Sequence, residues 1–353
     1  MAHVLPDQGL HRVIGDGEAV ADRDVGLADD SLLALYRSVV LLRVYDERSV
    51  IYHRQGRIGT YAIFWGHEGL QAGAVHALEA RDWIFPSYRE SAIGLLRGIS
   101  PATVLSWWRG HPAGWWNPAD QGVASICVPI GTQIPHAAGF AWGSKLKGED
   151  RCALVFFGDG ATSEGSFHEG VNFAAVMEAP VVLLCNNNQW AISTPLDRQT
   201  AAKTLADKAV GYGIPGVRVD GHDALAVYEV TCEAVARARR GEGPTFVEAV
   251  TYRAAPHATA DDPRAYIDQE RVEEEHEHEC LGMLEGYLRR RGLLDDGATA
   301  AVRTEAEEAL RAGIQEAEGL PPPPVDLVFE HAYAAPWPSL AAELAELKRI
   351  LGA

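Results

Sequence analysis

The chain has 353 residues, with 31 Lys and Arg against 49 Asp and Glu, a formal charge of −18. That balance argues against a nucleic-acid or anionic-lipid surface, both of which need clustered cations. At 47% apolar residues the chain carries enough hydrophobic mass for a large core and is unlike a disordered protein.

Five cysteines stand at 127, 152, 185, 232 and 280. Their number is odd and no pair is spaced CxxC, so a disulfide framework or zinc ribbon is not expected and a reducing compartment is. The start, MAHVLPDQGLHRVIGDGEAVADRD, lacks a basic segment followed by an apolar run and is acidic. We therefore expect a cytoplasmic protein without a secretory or transit leader. Apolar runs such as Ala179–Cys185 are far too short to cross a bilayer.

Residues 1–28 read as an acidic arm. Ser31–Tyr52 has apolar residues at 32, 35, 36, 39, 42 and 45, the stripe of a helix with one buried face, and Asp30 or Ser31 can cap it. Helical patterns continue at about 66–80, 88–97 and 101–109. Ala153–Phe157 (ALVFF) and Val181–Cys185 (VVLLC) are continuous apolar runs bounded by turn residues, the pattern of parallel strands buried on both faces. Phe167, Val171, Ala174 and Ala175 form a helical stripe between them. Ser166 and Glu169 have capping-box spacing, and Pro180 follows the helix. Val217–Val219 and Thr245–Val250 read as further strands around a helix over 224–240. The alternation predicts an α/β fold with a mostly parallel central sheet and helices on both faces. Residues 268–318 read as charged helices, Pro321–Pro324 as a stiff break, and Ser339–Leu351 as a last helix. The expected division is an arm (1–28), an α/β domain (29–320) and a Pro-rich break with a helical tail (321–353).

The chemistry concentrates after the two central strands. The first is followed by Gly158-Asp159-Gly160-Ala161, the second by Asn186-Asn187-Asn188-Gln189-Trp190. Consecutive strands of a βαβ unit put both turns at the carboxyl edge of the sheet, where open α/β sheets bind ligands. Glycines allow close backbone approach, and a following helix offers N–H groups to a phosphate. Asp159 and an Asn side chain are hard oxygen donors suited to Mg²⁺ that completes its shell with phosphate and water. The turn is not a dinucleotide fingerprint, because Ser163 stands where the third glycine belongs, and it lacks the lysine of a phosphate-binding loop. Taken alone, GDG is also consistent with an ordinary turn.

Twenty-six residues separate Gly160 from Asn187, the interval of the thiamine diphosphate signature. With GDGATSEGSFHEGVNFAAVMEAP, NNNQWAISTP, RQGRIGTYA, FPSYRE, GTQIPHAAG, GYGIPGVRVDGHD and YRAAPHATADDPRAY, the chain resembles the alpha subunit of the thiamine-dependent decarboxylase component of 2-oxo acid dehydrogenase complexes. The likeness runs from about Leu32 to Tyr266. It implies the thiamine diphosphate-binding fold, with Mg²⁺ held by Asp159, Asn188 and the main-chain oxygen of Trp190. It implies diphosphate contacts from Gly158, Gly160 and Ala161 and from the Tyr88-Arg89 pair, and aminopyrimidine contacts from Ile130 and Ile192. His257, in a loop of pattern HxTxDDP, is the implied catalytic residue beside the cofactor. Arg253 and Asp261 are expected to pair and order that loop.

Some positions depart from the family. Regulated members carry a serine where this chain has Ala258, with Thr259 adjacent. Some branched-chain members have an arginine at the position of Asn186, and the family's Q-M-P stretch reads Trp116-Asn117-Pro118. In EEHEHEC (274–280), His276 and His278 point to different helix faces and are not expected to share a metal. His3 and His11 carry no expected role.

In the family the glutamate that activates the cofactor comes from a beta subunit. The resemblance therefore implies an α₂β₂ heterotetramer, a lipoyl acyltransferase partner and a small 2-oxo acid substrate. Text such as WWRGHPAG and TPLDRQTAAKT tilts the expectation to pyruvate. The loop around His257 looks like branched-chain members, and an acetoin dehydrogenase alpha subunit shares every motif. A non-catalytic cofactor-binding subunit is the reading of another class, and the intact Asp159, Asn188, Arg89 and His257 count against it.

Overall fold

A computed structural model describes residues 9–15, 22–330, 333–335 and 337–352. Strands β1 (Trp83–Phe85), β2 (Ala153–Gly158), β3 (Val181–Asn187), β6 (Gly216–Asp220) and β7 (Thr245–Val250) form one sheet in the order β1-β2-β3-β7-β6. Every pairing in it is parallel. Between β3 and β6 the chain makes a small antiparallel hairpin, β4 (Trp190–Ala191) with β5 (Thr194–Pro195).

The continuous apolar runs are explained by burial on both faces. Leu154, Phe156, Val182, Leu184 and Val247 enter one core with Leu32, Leu35, Tyr36 and Val39 of the helix Asp29–Arg54. The alternate residues Val155, Phe157, Val181, Leu183 and Phe246 enter a second core with Ile134 and Ala138 of Gln133–Leu146 and Phe167 and Val171 of Gly165–Val176. The period of two therefore sorts one strand between two cores.

Two expected caps differ. The first helix has Ala28 at its N-cap, with no side-chain cap, and Asp29 and Asp30 in its first turn. Their charges favour the positive end of the helix dipole without a capping bond. The helix after β2 is preceded by Glu164, and Ser166 and Glu169 lie inside it, so the capping box does not form. β1 carried no strand signal because three residues are too few for a period.

Of the arm, residues 9–15 lie against the sheet: His11 bridges Val219, and Asp223 Oδ2 accepts from Val13 and Ile14 N at 2.6 and 2.7 Å. His3 lies outside the described residues. The acidic segment 268–318 is helical over Gln269–Glu277, Cys280–Arg290 and Asp296–Gly319. The five cysteines are free. Among the described residues no helix is long and apolar enough to cross a membrane.

Candidate active site

Register sets the site. Gly158 of β2 pairs with Asn186 of β3, and Asn187 pairs with Val250 of β7. The chain segments leaving β1, β2, β3 and β7 therefore emerge side by side at one edge. They bring Tyr88 and Arg89, Gly158–Ala161, Asn188, Trp190–Ile192 and His257 around one cavity of about 510 Å³. All of the residues expected to hold the cation or the cofactor line it, including Ile130 from the segment before Gln133–Leu146.

The three oxygens expected to hold a cation are each engaged once. Asp159 is 1% exposed, and its Oδ2 accepts from Gln199 Nε2 at 2.6 Å. Asn188 Oδ1 accepts from Trp190 N at 3.1 Å. Trp190 O accepts from Arg253 Nη1 at 3.2 Å. Carbonyl and carboxylate oxygens have more than one lone pair, so each keeps acceptor capacity. Burial raises the Asp159 carboxyl above its ordinary range, against the hydrogen bond from Gln199. A buried carboxylate of that kind is compensated by a nearby cation. A Cβ on Gly160 would stand 2.8 Å from Ala191 Cβ, so only glycine lets the turn and the β4–β5 hairpin approach this closely. Carboxylate, amide and carbonyl oxygens beside a glycine turn fit a magnesium diphosphate. Among the described residues no cluster of His, Cys, Asp and Glu competes as a metal centre.

The hairpin loop is strained. Gln189 and Ile192 have φ of +69° and +55°, rare for residues with a Cβ and commonest where a site over-determines the backbone. Ile192 and Ile130 are 57% and 44% exposed, so both present apolar surface at the mouth of the cavity.

Positive charge is gathered locally despite the acidic chain. Arg89 and Arg253 are 6% and 1% exposed. Arg89 Nη1 donates to Ile63 O, and its Nη2 lies 3.3 Å from His257 O and 3.1 Å from His257 Nδ1. Because a guanidinium only donates, Nδ1 must accept, which leaves the proton of the neutral ring on Nε2. Burial, then the Arg89 and Arg253 charges, push His257 down to about 4. The ring is a neutral donor through Nε2.

Arg253 and Asp261 do not form the expected direct pair. Arg253 Nη2 donates to Tyr266 Oη at 3.0 Å, and Tyr266 in turn donates to Asp261 Oδ2. That carboxylate oxygen also accepts His257 N at 2.8 Å. Arg253 Nη2 reaches Ile192 O at 2.5 Å, so one guanidinium ties the β4–β5 loop to the His257 loop. The phenol intervenes because the turn Pro263–Ala265 returns Tyr266 between the charges.

The sequence reading also missed Trp107, Trp108, Glu90, Gln133 and Val128, which line the cavity. Trp107 and Trp108 end the helix Pro101–Trp108 and looked like ordinary helical apolar positions. Asn186, where some family members have arginine, is buried, with its amide held by Thr251 Oγ1 at 2.8 Å and its Nδ2 3.1 Å from His67 Nδ1. His276 stacks on Trp65 at 4.2 Å, and His278 Nδ1 lies 3.1 Å from Glu274 O, so the two histidines are separately employed.

Known proteins resemble this chain over most of its length. The family model described as dehydrogenase E1 component matches residues 36–326. A 3-methyl-2-oxobutanoate dehydrogenase subunit alpha of Mycobacterium tuberculosis is 44% identical over 339 residues, covering 94% of this chain and 91% of the relative. A 2-oxoisovalerate dehydrogenase subunit alpha of Bacillus subtilis is 36% identical, covering 88% and 97%. A pyruvate dehydrogenase E1 component subunit alpha of Staphylococcus epidermidis is 40% identical, covering 86% and 82%. The chain belongs to the dehydrogenase E1 component family, as an alpha subunit of a 2-oxo acid dehydrogenase.

Proposed function

We propose that this chain holds magnesium thiamine diphosphate in the cavity at the sheet's carboxyl edge and, in an α₂β₂ assembly, decarboxylates a branched-chain 2-oxo acid. The acyl product would pass to a lipoyl group of an acyltransferase partner. The observation that carries the reading is the convergence of Asp159, Asn188 and Trp190 with Arg89 and His257 around that cavity.

Asp159 carboxylate, Asn188 Oδ1 and Trp190 O would hold the cation. The backbone N–H groups of Gly160 and Ala161, with Arg89, would bind the diphosphate, and Tyr88 and Gly158 complete that wall. Arginine suits this task because its planar fork matches phosphate oxygens. Ile130 and Ile192 would pack on the aminopyrimidine. Thiamine diphosphate, when bound, supplies the electron sink for loss of carbon dioxide. His257, kept neutral by Arg89 and by burial, would donate through Nε2 to negative charge developing on the substrate oxygen.

The substrate preference rests on the 44% identity to the relative named for 3-methyl-2-oxobutanoate. Pyruvate is the second reading, supported by the 40% identical pyruvate dehydrogenase subunit and by the segments WWRGHPAG and TPLDRQTAAKT.

The test is co-expression with the beta partner, followed by assays that couple turnover of 2-oxoisovalerate, pyruvate or acetoin to reduction of an artificial electron acceptor, with carbon dioxide release measured for the two 2-oxo acids. A higher kcat/KM for 2-oxoisovalerate supports the proposal, and a higher value for pyruvate transfers the assignment. Asp159→Ala should abolish magnesium-dependent cofactor binding. Retained binding would remove the site.

A further inference from the structure

Asp159 and Trp190, two of the three proposed cation ligands, leave different strands. Something must set their separation before a cation arrives, because a small ion that demands near-ideal octahedral geometry tolerates little ligand movement. One side chain reaches across. Gln199 lies 40 residues from Asp159 in the chain, at the end of the excursion that contains the β4–β5 hairpin. Its Nε2 donates to Asp159 Oδ2 at 2.6 Å and to Thr194 O in β5 at 3.1 Å. Its backbone also takes part: Ser163 Oγ, in the turn after Asp159, donates to Gln199 O at 3.2 Å.

The orientation of the amide follows from these partners. Both atoms near Nε2 are acceptors, so exchanging the amide nitrogen and oxygen would set an oxygen against a carboxylate. Gln199 Oε1 is buried with no partner among the described residues, so the amide spends its donors here and leaves its acceptor unused. That is costly for a surface loop and is explained if the donors are the part that matters. The bond engages Oδ2, and no other side chain among the described residues bonds the Asp159 carboxylate, which keeps acceptor capacity for a cation. The same residue closes the loop that carries the strained Gln189 and Ile192, whose base is held by Leu196 N donating to Gln189 O at 3.1 Å.

We infer that Gln199 is a positioning residue for the cation site, fixing the Asp159 carboxylate and tying its turn to the loop that carries Trp190. The inference rests on the proposed magnesium site. It assigns a role to a residue that does not line the cavity and acts through Asp159. A hydrogen-bond partner of a metal ligand typically accounts for on the order of 10- to 100-fold in metal affinity.

The test uses the tetramer co-expressed with its beta subunit. Magnesium is titrated at fixed thiamine diphosphate, and cofactor binding is followed by tryptophan fluorescence and by calorimetry. Gln199→Met keeps a similar side-chain volume and removes the donor, and Gln199→Ala removes both. Each should raise half-saturating magnesium on the order of 10- to 100-fold, with cofactor binding recovered at high magnesium and the magnesium-free Gln199→Met protein still melting cooperatively, at a temperature lowered only by loss of the bond to the buried carboxylate. A Gln199→Met protein with wild-type magnesium dependence overturns the inference, since packing alone would then account for the residue. Asp159→Ala separates the two levels. If it abolishes magnesium dependence while Gln199→Met leaves it untouched, the site stands and the role of Gln199 falls. If Asp159→Ala binds cofactor normally with magnesium, the site itself falls.

Discussion

Tyr266 stands between Arg253 and Asp261, receiving a hydrogen bond from the guanidinium at 3.0 Å and giving one to the carboxylate. Arg253 is 1% exposed, so its charge needs these partners. Burial lowers its pKa, as does the nearby Arg89 charge. The phenol lets a buried cation and a solvent-facing anion share one bridge and places His257 N on the same anion.

Tyr266→Phe keeps the ring, which packs on Trp190 at 5.4 Å, and removes both bonds. Hydrogen bonds to charged groups contribute roughly 1.5–3 kcal/mol each, so the equilibrium constant for docking the loop 254–266 should fall on the order of tenfold or more. Limited proteolysis and hydrogen exchange would read this directly. Equal protection in the wild type and the variant would mean that the bridge does not hold the loop.

His257 makes a pH prediction of definite sign. Its folded value is about 4, depressed mainly by burial and then by Arg89 and Arg253, while an ordinary histidine titrates near 6.5. Between these values the open loop binds more protons than the docked one, so docking is favoured above about pH 6.5 and is progressively lost as pH falls toward 4. The Cε1 proton of His257, assigned by comparison with His257→Gln, should titrate well below pH 6. A midpoint near 6.5 would contradict the burial argument and the tautomer inferred from Arg89.

Asp159 sets function against stability. Burial raises its pKa, so in the metal-free protein the ionised form destabilises the fold at every pH above its folded value. Asp159→Asn removes that cost while keeping a side-chain oxygen for Gln199. The variant should melt higher than the wild type without metal, at roughly 1–2 °C per kcal/mol for a chain of this size, and should lose magnesium-dependent binding. Chelation of the wild type should release the cofactor. A lower melting temperature for the apo variant would show that Asp159 is already compensated.

Much of this was readable in the chain because some constraints repeat. The double-faced burial of Ala153–Phe157 and Val181–Cys185 leaves a continuous apolar run, and the Gly158–Ala161 and Asn186–Trp190 segments follow those runs directly. What was not readable has no period and no fixed spacing. β1 is three residues long. Gln199 meets Asp159 only because the β4–β5 hairpin folds back. Tyr266 reaches Arg253 because a short turn follows Asp262. Charge complementarity suggested an Arg253–Asp261 pair, and it found the right participants but not the phenol between them. Side chains that act through three-dimensional closure leave little trace in linear order.

Gly160 offers a compensation test of the turn–hairpin contact. A Cβ added there would meet Ala191 Cβ at 2.8 Å, and Ala191 cannot retreat freely because Ile192 next to it already has a φ of +55°. Overpacking of this kind costs about 1–3 kcal/mol. Gly160→Ala should therefore destabilise the protein by that amount and weaken cofactor binding, since displaced N–H groups no longer face the phosphates. Pairing it with Ala191→Gly removes the clashing methyl. The double variant should recover most of the stability, a coupling that thermal melts in a double-mutant cycle would measure. Simple additivity of the two changes would mean that the contact at 2.8 Å is not what demands glycine at 160.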